Sequence, residues 1–172
     1  MHLPQRSEIH YLGKIAMTNR TTASQIMTAP VHAVRPADPV RKVVGLLCRH
    51  RISGVPVVDA RGHLVGLISE RDILEAMYPD HPELRQRRPG ARPAADGREI
   101  GSIASSEIMV REVITAAPET DLLRLASLMA VKKIRRIPIV EGGRLLGIVS
   151  QGDVHRAIFE RGPASAERDG PR

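Results

Sequence analysis

The sequence predicts an α/β fold made of two copies of one β-α-β-β-α unit packed against each other. Three observations carry this. The chain matches itself at an offset of 82 residues, falling to 81 after Asp59. Within each copy the apolar period switches between helical and strand spacing. The 172 residues are 42% hydrophobic with only three aromatics, Tyr11, Tyr78 and Phe159. That supports an aliphatic interior of single-domain size, or two small domains sharing a core.

The repeat is specific in its order. Ile26-Met27 aligns with Ile108-Met109, Val31 with Val113, Pro36 with Pro118, Leu46 with Leu128, Ile52 with Ile134, Pro56 with Pro138 and Val58 with Val140. Beyond the offset change, Leu64 matches Leu145, Gly66 Gly147, Ser69 Ser150, Asp72 Asp153 and Ala76 Ala157. The length change falls in Ala60-Arg61-Gly62-His63 against Gly142-Gly143-Arg144, where a turn is expected.

Each unit opens with a short strand, near Val31–Arg35 and again near Val113–Ala116. A helix follows. Asp38 reads as its N-cap with Pro39 in the first helical position, and Thr120 with Asp121 fills the same two slots. Val40, Val43, Val44 and Leu47 form one apolar stripe, repeated as Leu122, Leu125, Ala126 and Met129. Next come two apolar strands around a glycine turn, Val55–Val58 with Leu64–Ile68, and Ile137–Val140 with Leu145–Val149. A second helix closes each copy, Ser69–Met77 and Ser150–Phe159. The organisation expected is an N-terminal segment 1–23, a first copy 24–77, a linker 78–104 rich in Pro, Gly and Arg with one helical turn near Pro82–Arg87, a second copy 105–159 and a tail 160–172.

Composition narrows the function. Cys48 is the only cysteine, so no intrachain disulfide or cysteine-based metal centre is expected; it reads as a core thiol on the first helix. The seven histidines show no i, i+4 pair and no HExxH, which argues against a metal site. There is no P-loop, no GxSxG and no catalytic constellation, so no enzyme is expected. The longest apolar run, Val43–Cys48, is far too short for a membrane span, and the first residues lack an apolar stretch of signal-peptide length. A cytoplasmic protein without membrane contact is the expectation. The net charge of +7 raises nucleic-acid binding, but the excess is spread thinly along the chain and base-stacking aromatics are scarce, which counts against it.

Two features have chemical potential. Gly66-x-x-Ser69-x-x-Asp72 and Gly147-x-x-Ser150-x-x-Asp153 sit where a strand turns into a helix. Serine with an acid three residues on is a capping box, which needs no ligand. The same geometry can hold a phosphate or sugar at the helix N-terminus, and an ionised Asp can accept both hydroxyls of a ribose. Residues alone leave both readings open. The dense run Lys132-Lys133-Ile134-Arg135-Arg136 is either a solvated face or an anion contact. Lys132 and Lys133 fall at a helix end, where cations favour the dipole.

The strings HRISGVPVVD, GLISERDIL, KKIRRIPIVE and GIVSQGDV, in this order and twice over, resemble a tandem pair of cystathionine-β-synthase (CBS) domains, a Bateman module. The resemblance covers about residues 24–77 and 105–159. It implies two pseudo-symmetric units packed sheet to sheet, assembled as a dimeric disc. It implies clefts between the units that take an adenosine-containing ligand: AMP, ADP, ATP or S-adenosylmethionine. It makes Asp72 and Asp153 the ribose acids and Ser69 and Ser150 phosphate or ribose contacts. It groups Ser69 and Asp72 with Arg135 and Arg136 as phosphate ligands; the matching Ser53 and Gly54 carry no charge. Thr28 to Val31 with Val55 and Pro56 become the aliphatic wall for adenine beside the first motif, plain core packing being the alternative for the valines. The function implied is a stand-alone sensor that signals to an effector protein, with no required cofactor beyond the regulatory nucleotide. The alternative is a ligand-free dimerisation scaffold.

Overall fold

The computed structural model describes residues 21–78 and 99–159. The expected turn near Pro82–Arg87 lies outside them. The described chain runs α1 (Ala23–Ile26), α2 (Val40–His50), β1 (Gly54–Val58), β2 (Leu64–Ser69), α3 (Glu70–Met77), a 3-10 turn (Ile100–Ser102), α4 (Ser105–Ile108), α5 (Leu122–Lys132), β3 (Arg136–Glu141), β4 (Arg144–Ser150) and α6 (Gln151–Phe159). No described helix is long and apolar enough to cross a membrane.

The chain divides into two compact units. One contains the described residues 31–78 and 99–113 and the short stretch 142–145. Its sheet is built on β1 and β2, antiparallel with Gly54 opposite Ser69 and Pro56 opposite Leu67. On the outer side of β1 the expected first strand is reduced to one parallel bridge, Val34 to Val57. Val34 N donates to the Pro56 carbonyl and Val58 N to the Val34 carbonyl. The Pro56 nitrogen, which has no proton to give, therefore faces the side where only one residue is paired. On the outer side of β2, Leu67 and Val110 exchange both backbone bonds at 2.9 Å. Val110 follows α4, so the segment that opens the second repeat completes the sheet of the first. The core is Val34, Val40, Val43, Leu47, Val55, Val57, Ile68, Ile73, Ile103, Ile108 and Met109, entirely aliphatic or thioether as the shortage of aromatics requires. Each such side chain contributes roughly 1.5–3 kcal/mol on burial.

The other unit mirrors this. It contains the described residues 21–30, 114–141 and 146–159. β3 pairs with β4. Ala116 bridges Ile139 in parallel, and Thr28 bridges Ile148. Its core is Ala23, Leu122, Leu125, Met129, Ile137, Ile139, Val149 and Val154, with Ile26 and Met27 packed on it.

The helix starts correct the sequence reading. Asp38 is not the cap of α2: its carboxylate accepts Arg35 N at 2.7 Å and Lys42 Nζ at 2.8 Å. The Arg35 N–H, then Lys42, hold that carboxyl below its ordinary range. Pro39 takes the cap position without a side-chain bond. In the second copy Thr120 repeats the Asp38 turn, its Oγ1 accepting Ala117 N at 3.1 Å, and Asp121 caps α5 through Arg124 N at 2.8 Å. Both helices start one residue later than the N-cap pattern suggested. Both end on a non-glycine residue in the left-handed region, Arg51 (φ 51°) and Lys133 (φ 53°). Lys132 and Lys133 thus do occupy the end of α5.

The turns explain the length difference between copies. In the first, Asp59 Oδ1 accepts both His63 N and Arg61 N, and Gly62 has φ 86°. Those amides, His63 first, hold the Asp59 carboxyl below its usual range. In the second, Gly142 and Gly143 both have positive φ, which permits a tighter two-residue turn.

Candidate functional site

Both Gly-x-x-Ser-x-x-Asp motifs fold identically. β2 delivers Ser69 to the N-cap of α3, and β4 delivers Ser150 immediately ahead of α6. Asp72 Oδ2 accepts Ser69 N at 2.7 Å and Ser69 Oγ at 2.6 Å. Asp153 Oδ2 accepts Ser150 N at 2.7 Å and Ser150 Oγ at 2.6 Å. The serine hydroxyls lie 3.4 and 3.3 Å from Asp72 N and Asp153 N. The capping box is therefore formed in both copies. Asp72 and Asp153 are the only buried carboxylates among the described residues. Burying a polar group costs free energy unless it is hydrogen-bonded, and the serine N–H and O–H groups meet part of that need at one oxygen of each carboxylate.

The glycine of each motif has a steric reason. A Cβ on Gly66 would meet Met109 Sδ at 2.6 Å and Cγ at 2.9 Å; one on Gly147 would run into the Met27 thioether. The methionine of each Ile-Met pair thus lies flat on the strand that leads to a serine of the other repeat. This moves one expected wall residue. Thr28 exchanges backbone bonds with Ile148 at 2.9 and 3.1 Å, so it stands beside the strand of the second motif rather than the first. Its counterpart beside the first motif is Val110, which the sequence reading did not single out. The offset of 82 pairs the two residues, but nothing in a linear repeat says that the opening segments change places.

The other expected wall residues divide by burial. Val55 is fully buried in the aliphatic core. Pro56 is buried and Val31 half-buried, both in the unit that carries Ser69 and Asp72. Arg135 is exposed and Arg136 half-buried at the start of β3, in the unit that carries Ser150 and Asp153. The Arg135 carbonyl accepts Gln151 N at 3.0 Å, as the Ser53 carbonyl accepts Glu70 N at 3.3 Å. These two carbonyls pin the first turns of α6 and α3.

One expectation is corrected, and one contact has no local signal in the sequence. Cys48 is exposed, not a core thiol, because α2 buries Val40, Val43 and Leu47 on another face. His32 and His50 stack with ring centroids 3.7 Å apart, a pairing across eighteen positions that no i, i+4 search detects. Desolvation, then the neighbouring His32 and Arg49, hold His50 below its ordinary range. Among the described residues no three His, Cys, Asp or Glu side chains gather as a metal site.

Known proteins share this arrangement. The CBS domain YhcV protein of Bacillus subtilis is 31% identical over 134 residues, spanning 78% of this chain and 83% of that protein. The solved structure of CBSX2 in complex with AMP superposes with a TM-score of 0.65 at 27% identity, covering 81% of this chain and 96% of that one. The CBS domain pair of MJ0100, solved with methylthioadenosine and S-adenosyl-L-methionine, gives a TM-score of 0.62 at 26% identity, over 79% of this chain and 94% of that one. The CBS domain model matches twice, at residues 23–79 and 104–160. Two matches that each contain one Ser-x-x-Asp junction and one Ile-Met segment leave a single assignment: the chain belongs to the CBS domain family and carries the domain as a tandem pair.

Proposed function

We propose that the protein is a regulatory sensor that binds an adenosine-containing molecule at its Ser-x-x-Asp junctions and passes occupancy to an effector protein. The observation that carries this is the pair of solved relatives of the same fold, one holding AMP and the other methylthioadenosine and S-adenosyl-L-methionine. Adenosine is common to all three ligands, and the residues here suit its parts. Asp72 and Asp153 offer carboxyl oxygens as acceptors for ribose hydroxyls. Ser69 and Ser150 stand at helix N-termini, where backbone dipoles favour phosphate. Val31, Pro56 and Val110 on one unit, and Thr28 on the other, offer aliphatic edges to a base in a protein with almost no aromatics. A thermal-shift screen with AMP, ADP, ATP, S-adenosylmethionine and NADH tests the reading. A ligand at ~100 times its Kd adds about 2.7 kcal/mol of stability. A chain that shifts with none of them would instead be a ligand-free dimerisation scaffold.

Arg135 and Arg136 are assigned to the phosphates, because guanidinium matches phosphate bidentately. Replacing both with Ala is expected to weaken ATP more than adenosine, and the wild-type preference for ATP over adenosine shrinks in high salt. Equal losses for the two ligands in a titration would remove the assignment.

A homodimer is the expected assembly. Val44 on α2, Leu74 and Met77 on α3, and Leu123 and Val131 on α5 are apolar and exposed, Val131 by 72%. Cyclic pairing of two copies would cover such faces. Light scattering at micromolar concentration is expected to give twice the 18.8 kDa chain mass, and a monomer would refute this.

A further inference from the structure

The stacked histidines lie outside both serine–aspartate motifs. His32 belongs to the stretch that leads into the Val34 bridge, and His50 is the last residue of α2. Their ring centroids are 3.7 Å apart and their planes are inclined by 19°, so the two imidazoles meet face to face. Both residues are exposed, and solvent protons reach them. The second copy has no equivalent. The offset of 82 puts Ile114 and Lys132 in these places, a pair with no group that titrates near neutral pH.

We infer that His32 and His50 form a proton-sensitive clasp between the end of α2 and the segment entering the first sheet, closed while at most one ring is protonated and open when both are. Histidine is the side chain whose ordinary titration falls between pH 5 and 8. A neutral imidazole stacks on a second neutral ring or on one imidazolium. Two imidazoliums held face to face at 3.7 Å repel each other. The charges around the pair do not offset this. Besides desolvation, the groups that act on His50 are His32 and then Arg49, and both resist its protonation. Arg51, next in the chain, adds a further cation. Asp38, the acid of the His32 segment, is taken by Arg35 N and Lys42, while Arg35 Nη1 donates to the Val58 carbonyl. β1 carries no charged residue. On α3, Glu70 is exposed at the first turn and Arg71 pairs with Glu75. Glu99 sits beside the 3-10 turn that meets Arg41, at the opposite end of α2. His50 is held below its ordinary range, so the unfolded chain takes up its proton first as pH falls. The clasp therefore costs nothing above the ordinary histidine value and destabilises the fold below it.

NMR titration of the histidine rings, with urea unfolding at about pH 7.5 and about pH 5.5, tests this on the full chain. In wild type His50 is expected to titrate below the ordinary value, and the urea midpoint is expected to fall on acidification. His32→Ile installs the residue type that the second copy carries. His50 should then bind its proton about tenfold more tightly, a rise of about one pH unit, which is the size that marks interacting pairs. The acid loss in urea midpoint should shrink with it. His50→Phe keeps a ring on His32 but cannot take the second proton, and it too should lose less on acidification. The readout is the difference between two pH values, which a uniformly destabilised variant does not change. His63, held on Asp59 at 3.2 Å, is common to all three proteins and cancels between them. An unmoved His50 midpoint in His32→Ile, or the same acid loss in all three proteins, would overturn the inference. Neither result bears on the nucleotide reading.

Discussion

Asp72→Ala is expected to lose AMP affinity by roughly 10- to 100-fold and to lose stability at the same time. The affinity loss follows from removing a carboxyl acceptor of ribose hydroxyls, worth roughly 1.5–3 kcal/mol for hydrogen bonds to a charged group. The stability loss follows from the observed box. Asp72 Oδ2 accepts Ser69 N and Ser69 Oγ, and an alanine leaves both donors and the entry to α3 unsupported, at a cost of about 1 kcal/mol. Capping and ligand binding read as competitors in the sequence; in the folded chain one carboxylate can serve both. Asp72→Asn separates them. It keeps an acceptor for the serine donors but removes the charge, so most of the stability should return while the affinity does not. Calorimetry and urea unfolding on the two variants measure both quantities. An Asp72→Asn protein with wild-type affinity would reduce Asp72 to a cap.

The helices, the hairpins and the two motifs were legible in the sequence because their signals are local. The α2 stripe, the glycine turns and the Ser-x-x-Asp spacing each lie within a dozen residues. What escaped depended on contacts far apart in the chain. Val44 belongs to the stripe at Val40, Val43 and Leu47, yet it is 38% exposed, because the stripe is wider than the surface it covers. Asp38 looked like a cap by type and place, but its carbonyl accepts Ser105 N and Ser105 Oγ from 67 positions away, and its carboxylate turns back to Arg35. Ile103, at the end of a segment that read as linker, is fully buried in the first core. Thr28 could not be assigned to its strand from the repeat, since equal repeats fit a closed or an exchanged arrangement of opening segments equally well. The bond from Arg156 Nη2 to Asp153 Oδ1, at 2.6 Å, has no mark in the sequence, because an exposed helical arginine does not announce its partner.

Gly66→Ala is expected to destabilise the protein by about 1–3 kcal/mol, the usual cost of overpacking a filled interior. The added methyl would lie 2.6 Å from Met109 Sδ, 2.9 Å from Cγ and 3.1 Å from Cβ. The sulfur can swing aside, but Cβ is fixed to the backbone, and Val110 next to it is tied to Leu67 by two bonds of 2.9 Å. Relief therefore has to come through movement of α4 or of β2. β2 ends at Ser69, so its displacement also shifts the serine–aspartate box, and AMP affinity should fall together with stability. Met109→Ala removes the obstructing atoms. It opens a cavity on its own, since Met109 is 8% exposed in the core, but it makes room for the new methyl. The double variant Gly66→Ala, Met109→Ala is thus expected to be more stable than the sum of the single losses predicts, with a coupling of about 0.5–3 kcal/mol in a double-mutant cycle of urea unfolding. Strict additivity would mean that Gly66 is needed for its backbone and not for the methionine that crosses it, and the steric explanation of the repeated glycine would fail in both copies.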